Sequence, residues 1–307
     1  MSDAGAEAAL LNHAPRAPAQ PLHSALPEVA ALLRHPQFDE AARLFVRLTL
    51  EAYEQNAAAR QILGNTARHM AFSLITTLSA RAELEPETAP ATQTRLIETI
   101  VGMGLSSHGK IEGLINRLVD QRMITRAPMA HDRRIKALQP SEALLALDDL
   151  LCAAHARPCA LLEAHPVVAG VAARERSVTR RMRAAALPLI ESGGAMLMRN
   201  PQILPFLSVD GGWLVLSALL DAVWRGDVRA QRFDAIAKRC GVSRPHVRAL
   251  LLKVHEYGLL EQTAPGLLRA TPQFMAAAQI WIAECLAAFI NCCRLAQPAQ
   301  APAPPHA

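Results

Sequence analysis

Two stretches decide how this chain is read: LIETIVGMGLSSHGKIEGLINRLVDQRMI, from Leu96 to Ile124, and FDAIAKRCGVSRPHVRALLLKVHEYGLL, from Phe233 to Leu260. In the first, Ile111, Leu114, Ile115 and Leu118 fall at i, i+3, i+4 and i+7. Val247, Leu250, Leu251 and Val254 fall at the same offsets in the second. That spacing lays one apolar stripe along a helix. Each stripe follows a Gly-Ser break and an earlier apolar-periodic segment. The second break is compact. Gly241 can take the positive φ that closes a helix, Ser243 suits an N-cap, and Pro245 suits a first helical turn. The first break is longer, with Gly102 and Gly104 and then Ser106 and Ser107 as cap candidates. Two helices joined by a tight Gly-containing turn form a helix-turn-helix.

The sequence after each stripe extends the pattern. Thr125–Leu144 and Glu261–Phe274 both read as a short β-hairpin, or wing, followed by a helix start. Pro265-Gly266 is a turn dipeptide, and Ser141-Glu142 and Thr271-Pro272 are helix entry signals. Leu105-Ser106, Ile111, Leu118, Met123-Ile124, the run Asp132-Arg133-Arg134-Ile135-Lys136 and Pro140-Ser141 together resemble the winged helix of MarR-type bacterial transcription regulators. The resemblance covers roughly residues 94–144, and the Asp-Arg-Arg-x-Lys element is its most specific part. It implies that the helix after Ser107 enters a DNA major groove, that Arg133 and Arg134 reach the backbone or minor groove, and that Asp132 orients an arginine at the wing base. It further implies a small-molecule effector in the crevice between winged domains and helical scaffold, although no residue pattern identifies one. The first copy departs from the family in two places: Arg122 stands where a Gly is usual, and Ser141 where a Thr is usual. The second copy keeps the glycine as Gly258 but lacks Asp-Arg-Arg.

Composition agrees with a mainly α chain of tandem winged helix-turn-helix domains with small β wings and a helical scaffold. The 307 residues are 51% hydrophobic and only 4% aromatic, and runs of β-branched residues are scarce. The expected organisation is a disordered tail at 1–26, N-terminal helices and the first winged helix over 27–165, the second winged helix with its C-terminal helix over 166–296, and a second tail at 297–307. The pair RHPQF (34–38) and RNPQI (199–203) adds a weak second repeat. Phe38 to Arg60 and Gln61 to Ala82 read as helices, and Asp210 as the cap of a helix holding Trp213 and Trp224.

Net charge is +5, and its distribution says more than its size. The first wing carries Arg126, His131, Arg133, Arg134 and Lys136 against one Asp132, and Lys110 stands in the motif before it. The second motif carries Lys238, Arg239, Arg244, His246, Arg248 and Lys253. Cations clustered on helix-turn-helix elements are the electrostatic footprint of nucleic-acid binding. The expected partner is therefore double-stranded DNA. Phosphate contacts fall to Arg133, Arg134, Lys136, Arg239 and Lys253, with Lys238 beside them. Base-edge contacts fall to Ser107, His108, Lys110, Arg244, His246 and Arg248, at the starts of the recognition helices. A third basic run, Arg174 to Arg183, reads equally well as DNA-facing or as a plain helix face.

No nucleophile elbow, phosphate loop or His-Glu-x-x-His run is present, so no enzyme and no cofactor are expected. Cys152, His155 and Cys159 have loosely metal-like spacing without an obvious fourth ligand, so no metal is expected. The six cysteines sit in apolar contexts and no signal peptide is visible, which fits reduced thiols in the cytoplasm. The nearly unbroken apolar run from Ala276 to Cys293 has membrane-span length, but Gln279, Glu284 and Asn291 interrupt it. It reads as a buried helix, or as the contact of a homodimer if the chain pairs with a second copy. The rival from another class is a winged-helix scaffold that binds protein and no DNA.

Overall fold

The computed structural model describes residues 26–56, 59–60, 64–129, 135–191 and 193–297. Apart from Leu26 and Gln297, both expected tails lie outside these residues, as does the tip of the first wing, including Asp132, Arg133 and Arg134. The chain is mainly helical. Among the described residues it has fifteen helices and two antiparallel two-stranded sheets.

The first half runs α1 (Pro27–Leu33), α2 (Phe38–Glu54), α3 (Thr66–Leu84), α4 (Gln93–Gly102), α5 (His108–Asp120), β1 (Ile124–Pro128), β2 (Lys136–Pro140) and α6 (Glu142–Leu162). The second runs α7 (Pro166–Ala172), α8 (Arg176–Ala185), α9 (Leu187–Glu191), α10 (Gly193–Arg199), α11 (Leu204–Leu207), α12 (Gly212–Trp224), α13 (Phe233–Cys240), α14 (Arg244–Glu256), β3 (Leu260–Ala264), β4 (Leu267–Ala270) and α15 (Pro272–Leu295).

The order α3-α4-α5-β1-β2-α6 recurs as α12-α13-α14-β3-β4-α15. The repeat is in register. Helices α5 and α14 are each 13 residues long, each follows a serine, and each is followed four residues later by a five-residue strand. Both copies add one isolated antiparallel bridge from the residue before the middle helix to the second hairpin strand, Thr92 to Ala137 and Arg232 to Leu267. The helices that leave the hairpins begin as expected: Ser141 accepts from the Leu144 N–H and Thr271 from the Phe274 N–H. The RHPQF and RNPQI stretches both form a tight link between helices, closed by Phe38 N–H to His35 O and Ile203 N–H to Asn200 O.

The two halves interlock. Helix α2 lies along α6 and also packs on α12, while α8 lies on α3 and reaches α15; α6 and α15 pack together. One apolar cluster runs through both halves, with Phe45, Phe72, Phe206 and Phe274 fully buried. Burying one such side chain stabilises by roughly 1.5–3 kcal/mol, so this shared interior is what holds the halves to each other. Helix α15 passes the length and hydropathy test for a membrane span, yet from Phe274 to Cys293 none of its residues is exposed, and it packs against α1, α6, α7 and α8.

Several boundaries and partners differ from expectation. Helix α2 stops at Glu54 and α3 starts only at Thr66, where the Asn65 side chain accepts the Arg68 N–H at 3.0 Å. Asp210 does not cap α12. The N-cap residue is Gly211 at φ 71°, and the Asp210 carboxylate instead receives Asn65 Nδ2 at 2.7 Å and pairs with Arg68 at 3.0 Å. The next residue, Gly212, is forced by packing: a Cβ there would lie 2.0 Å from the Phe206 carbonyl oxygen. The third basic run is mostly internal. Arg176 bonds Asp149 and Glu142, Arg180 bonds Glu83 and the Thr76 carbonyl, and Arg183 bonds Asp148.

Candidate nucleic-acid interface

In the second copy the turn is built as its residue types require. Helix α13 ends on Gly241 at φ 68°, and the Val242 N–H returns to the Ala237 carbonyl at 3.1 Å. Ser243 accepts the His246 N–H at 3.2 Å, satisfying one of the donors a helix start leaves open. Helix α14 then buries Val247, Leu250, Leu251 and Val254, packing against α13 and β3. The same arrangement leaves Arg244 and Arg248 exposed and Lys253 half-buried. None of the three has a hydrogen-bond or ion-pair partner among the described residues, and exposed Lys238 has none either. Arg239 differs. Its guanidinium bonds Asp221 on α12 and Glu54 on α2 at 2.9 Å, so it braces the two halves. His246 is half-buried, and its Nε2 is buried without a hydrogen-bond partner among the described residues.

The first copy has the same frame and a different surface. Its turn is longer, with Gly104 at φ 72° and Leu105 N–H on the Ile100 carbonyl. Ser107 occupies the N-cap position of α5 without a side-chain cap bond. Ile111, Leu114, Ile115 and Leu118 are buried. His108, Gly109, Lys110, Asn116 and Arg117 are exposed, and Lys136 is exposed at the start of β2. A polar lattice lies across the helix. Gln93 Nε2 donates to Glu112 Oε1 at 3.2 Å, and Arg126 Nη2 donates to Gln93 Oε1 at 3.2 Å and Asn116 Oδ1 at 2.6 Å. Arg126, a wing cation in the sequence, is thus folded back onto α5. Arg133 and Arg134 lie outside the described residues.

Gln93, Glu112, Asn116 and Arg117 were not singled out from the sequence, and Arg126 was read only as a wing cation. The available signal was the register of the repeat, which sets Glu112 of one helix opposite Arg248 of the other. Arg122, at the position where the second copy keeps Gly258, adopts φ 56° against 73° for that glycine.

Residues with metal-like spacing are turned to protein partners. Cys152 Sγ faces Asp148 Oδ1 at 3.8 Å, His155 Nδ1 faces the Leu151 carbonyl at 2.8 Å, and Cys159 Sγ faces the Leu286 carbonyl at 3.7 Å. No group of three His, Cys, Asp or Glu placed to hold a metal occurs among the described residues. Burial pushes the Cys152 and Cys159 thiols up and that of Cys292 to about 11, so these sulfurs are held as thiols. Desolvation, with His155 and Arg183 nearby, pulls His69 down to about 3 and keeps it neutral.

One cleft adjoins the first turn. It measures about 80 Å³ and lies between Gly104–Ser107, the start of α3 and Leu197–Ser208. Two of its hydroxyls are already used, Thr66 on the Leu207 carbonyl and Ser208 on the Leu204 carbonyl. Ligand pockets commonly occupy about 300–1,000 Å³, so this cleft is small for an effector. No family model, curated protein or solved structure matches the chain.

Proposed function

We propose that this chain is a sequence-specific DNA-binding transcription regulator in which two winged helices, the first MarR-like, act in one chain as a pseudo-dimer. The observation that carries this reading is the repeat whose second copy presents Arg244, Arg248 and Lys253, without partners among the described residues, beside a glycine-closed, serine-capped turn. In such a unit the second helix of the motif enters the major groove and the wing follows the backbone. Arg244 and Arg248 reach base edges, while Lys136, Lys238 and Lys253 meet phosphates, joined by Arg133 and Arg134 from the first wing. Arg239 has no part in this, since its charge is already neutralised within the molecule. The rival, a protein-binding scaffold, draws support from one observation: the α5 surface carries Glu112 and Asp120 among its cations and is close to neutral.

A salt series separates the two. Binding of the full chain to genomic fragments, its own promoter included, is measured from 50 to 200 mM salt. With roughly six phosphate contacts, affinity falls by about 10³ over that interval. A chain that shows no binding at the low-salt end is not a DNA regulator.

A further inference from the structure

We infer that the DNA site of this chain is not a palindrome: α14 reads a guanine-containing half-site, and α5 reads a chemically different one through the carboxylate of Glu112. This rests on the DNA-binding reading above and says what that surface recognises.

Because the two recognition helices match residue for residue, their differences can be compared position by position. Arg244 stands opposite His108, Arg248 opposite Glu112, Ala249 opposite Gly113 and Lys253 opposite Arg117. At the last pair the charge is kept, as a phosphate contact common to both helices would require. At Arg248 and Glu112 the charge changes sign, and this position flanks the outward face of each helix. An exposed arginine there makes the bidentate contact to guanine O6 and N7. A carboxylate is repelled by those same acceptors and needs a donor, which the major groove supplies as the exocyclic amino group of cytosine, or of adenine in second place.

The surroundings suit each side chain to that task. Arg248 is exposed and has no partner among the described residues, so it is free to extend. Glu112 is half-buried and fixed: Gln93 donates to its Oε1, and Arg126 donates to Gln93 and to Asn116 on the same helix. This chain of bonds holds the acceptor in one place. Glutamate is also the shorter side chain. Gly109, beside it on the outward face, carries no side chain and has open space where a Cβ would stand. That space lets α5 sit closer to the floor of the groove. A symmetric homodimer would have to place the same residue in both grooves; one chain with two diverged copies does not.

The test is enrichment of binding sites from a random-sequence duplex library by the full chain, repeated with Glu112→Arg and with Glu112→Gln. Two dissimilar half-sites in fixed order are expected, with guanine under one of them. Glu112→Arg should shift the other half-site towards guanine and weaken binding to the parent site about tenfold to hundredfold. Glu112→Gln, which keeps shape and folding, should relax preference at the same base pair only. A palindromic site, a single half-site, or an unchanged motif in both variants overturns this inference while leaving DNA binding intact. Failure to enrich any sequence brings down the DNA-binding reading itself.

Discussion

The two repeats share a frame and differ in almost everything that faces outward. Their element order and isolated bridges correspond, and the same four apolar positions are buried in α5 and α14, although the turn before α5 is the longer one. Outside that frame the first copy has a seven-residue connection between its strands, a polar lattice across its helix and an arginine in a left-handed turn. The second has the two-residue turn Pro265-Gly266, bare cations on its helix and a glycine in the same turn. The contrast shows that apolar spacing and turn geometry constrain the frame, while exposed positions can change charge without disturbing it.

The largest expected effect lies where the halves grip each other. Arg180 on α8 is buried and bonds Glu83, the Ser79 hydroxyl and the Thr76 carbonyl on α3. On the other side, exposed Arg43 on α2 bonds the Trp224 carbonyl at 3.0 Å and lies 5.5 Å from the ring of Trp224. Arg180→Ala should cost about 2 kcal/mol in urea unfolding, because it removes the hydrogen bonds and packing of a buried arginine, while exposed Glu83 regains water. Arg43→Ala should cost about 1 kcal/mol or less. Equal losses would mean that the two grips are equivalent and the comparison fails here.

The wings should differ in DNA binding. Replacing Arg133 and Arg134 with Ala should flatten the slope of log affinity against log salt by about two units. Arg269→Ala in the second wing should leave it nearly unchanged, since Arg269 already pairs with Glu261 at 2.8 Å. A slope altered equally by both changes would remove the distinction.

The smallest effect concerns the left-handed position shared by Arg122 and Gly258. A side chain there costs roughly 1–2 kcal/mol, offset in part by the greater freedom of glycine when unfolded. Arg122→Gly should therefore raise stability by up to about 1 kcal/mol, and Gly258→Ala should lower it by about 1 kcal/mol. A thermal melt in which Arg122→Gly is clearly destabilising would show that this arginine is held by contacts worth more than the strain.

What could be read from the sequence follows the reach of the interactions. Helices α5 and α14, the Ser141, Ser243 and Thr271 caps and the Pro265-Gly266 turn depend on neighbours a few residues away, and spacing and residue type reveal them. Asp210 misled because a cap signal sees residue type and not the positive φ of Gly211, which places the carboxylate towards α3. Arg239 looked like a DNA contact because its partner Glu54 lies 185 residues away, and charge pattern carries no trace of such a pairing. Arg180 and Arg183 were ambiguous for the same reason. The Gln93–Glu112 bond spans 19 residues and joins two side chains that no motif links.

The central claim is that one chain offers two recognition helices to one face of DNA. It is tested most directly by footprinting an enriched site at single-nucleotide resolution while native mass spectrometry counts the chains bound. The account predicts one chain per site and two protected major-groove segments about 10 base pairs, or roughly 34 Å, apart on the same face. One chain protecting a single groove, or two chains needed for two, would contradict it.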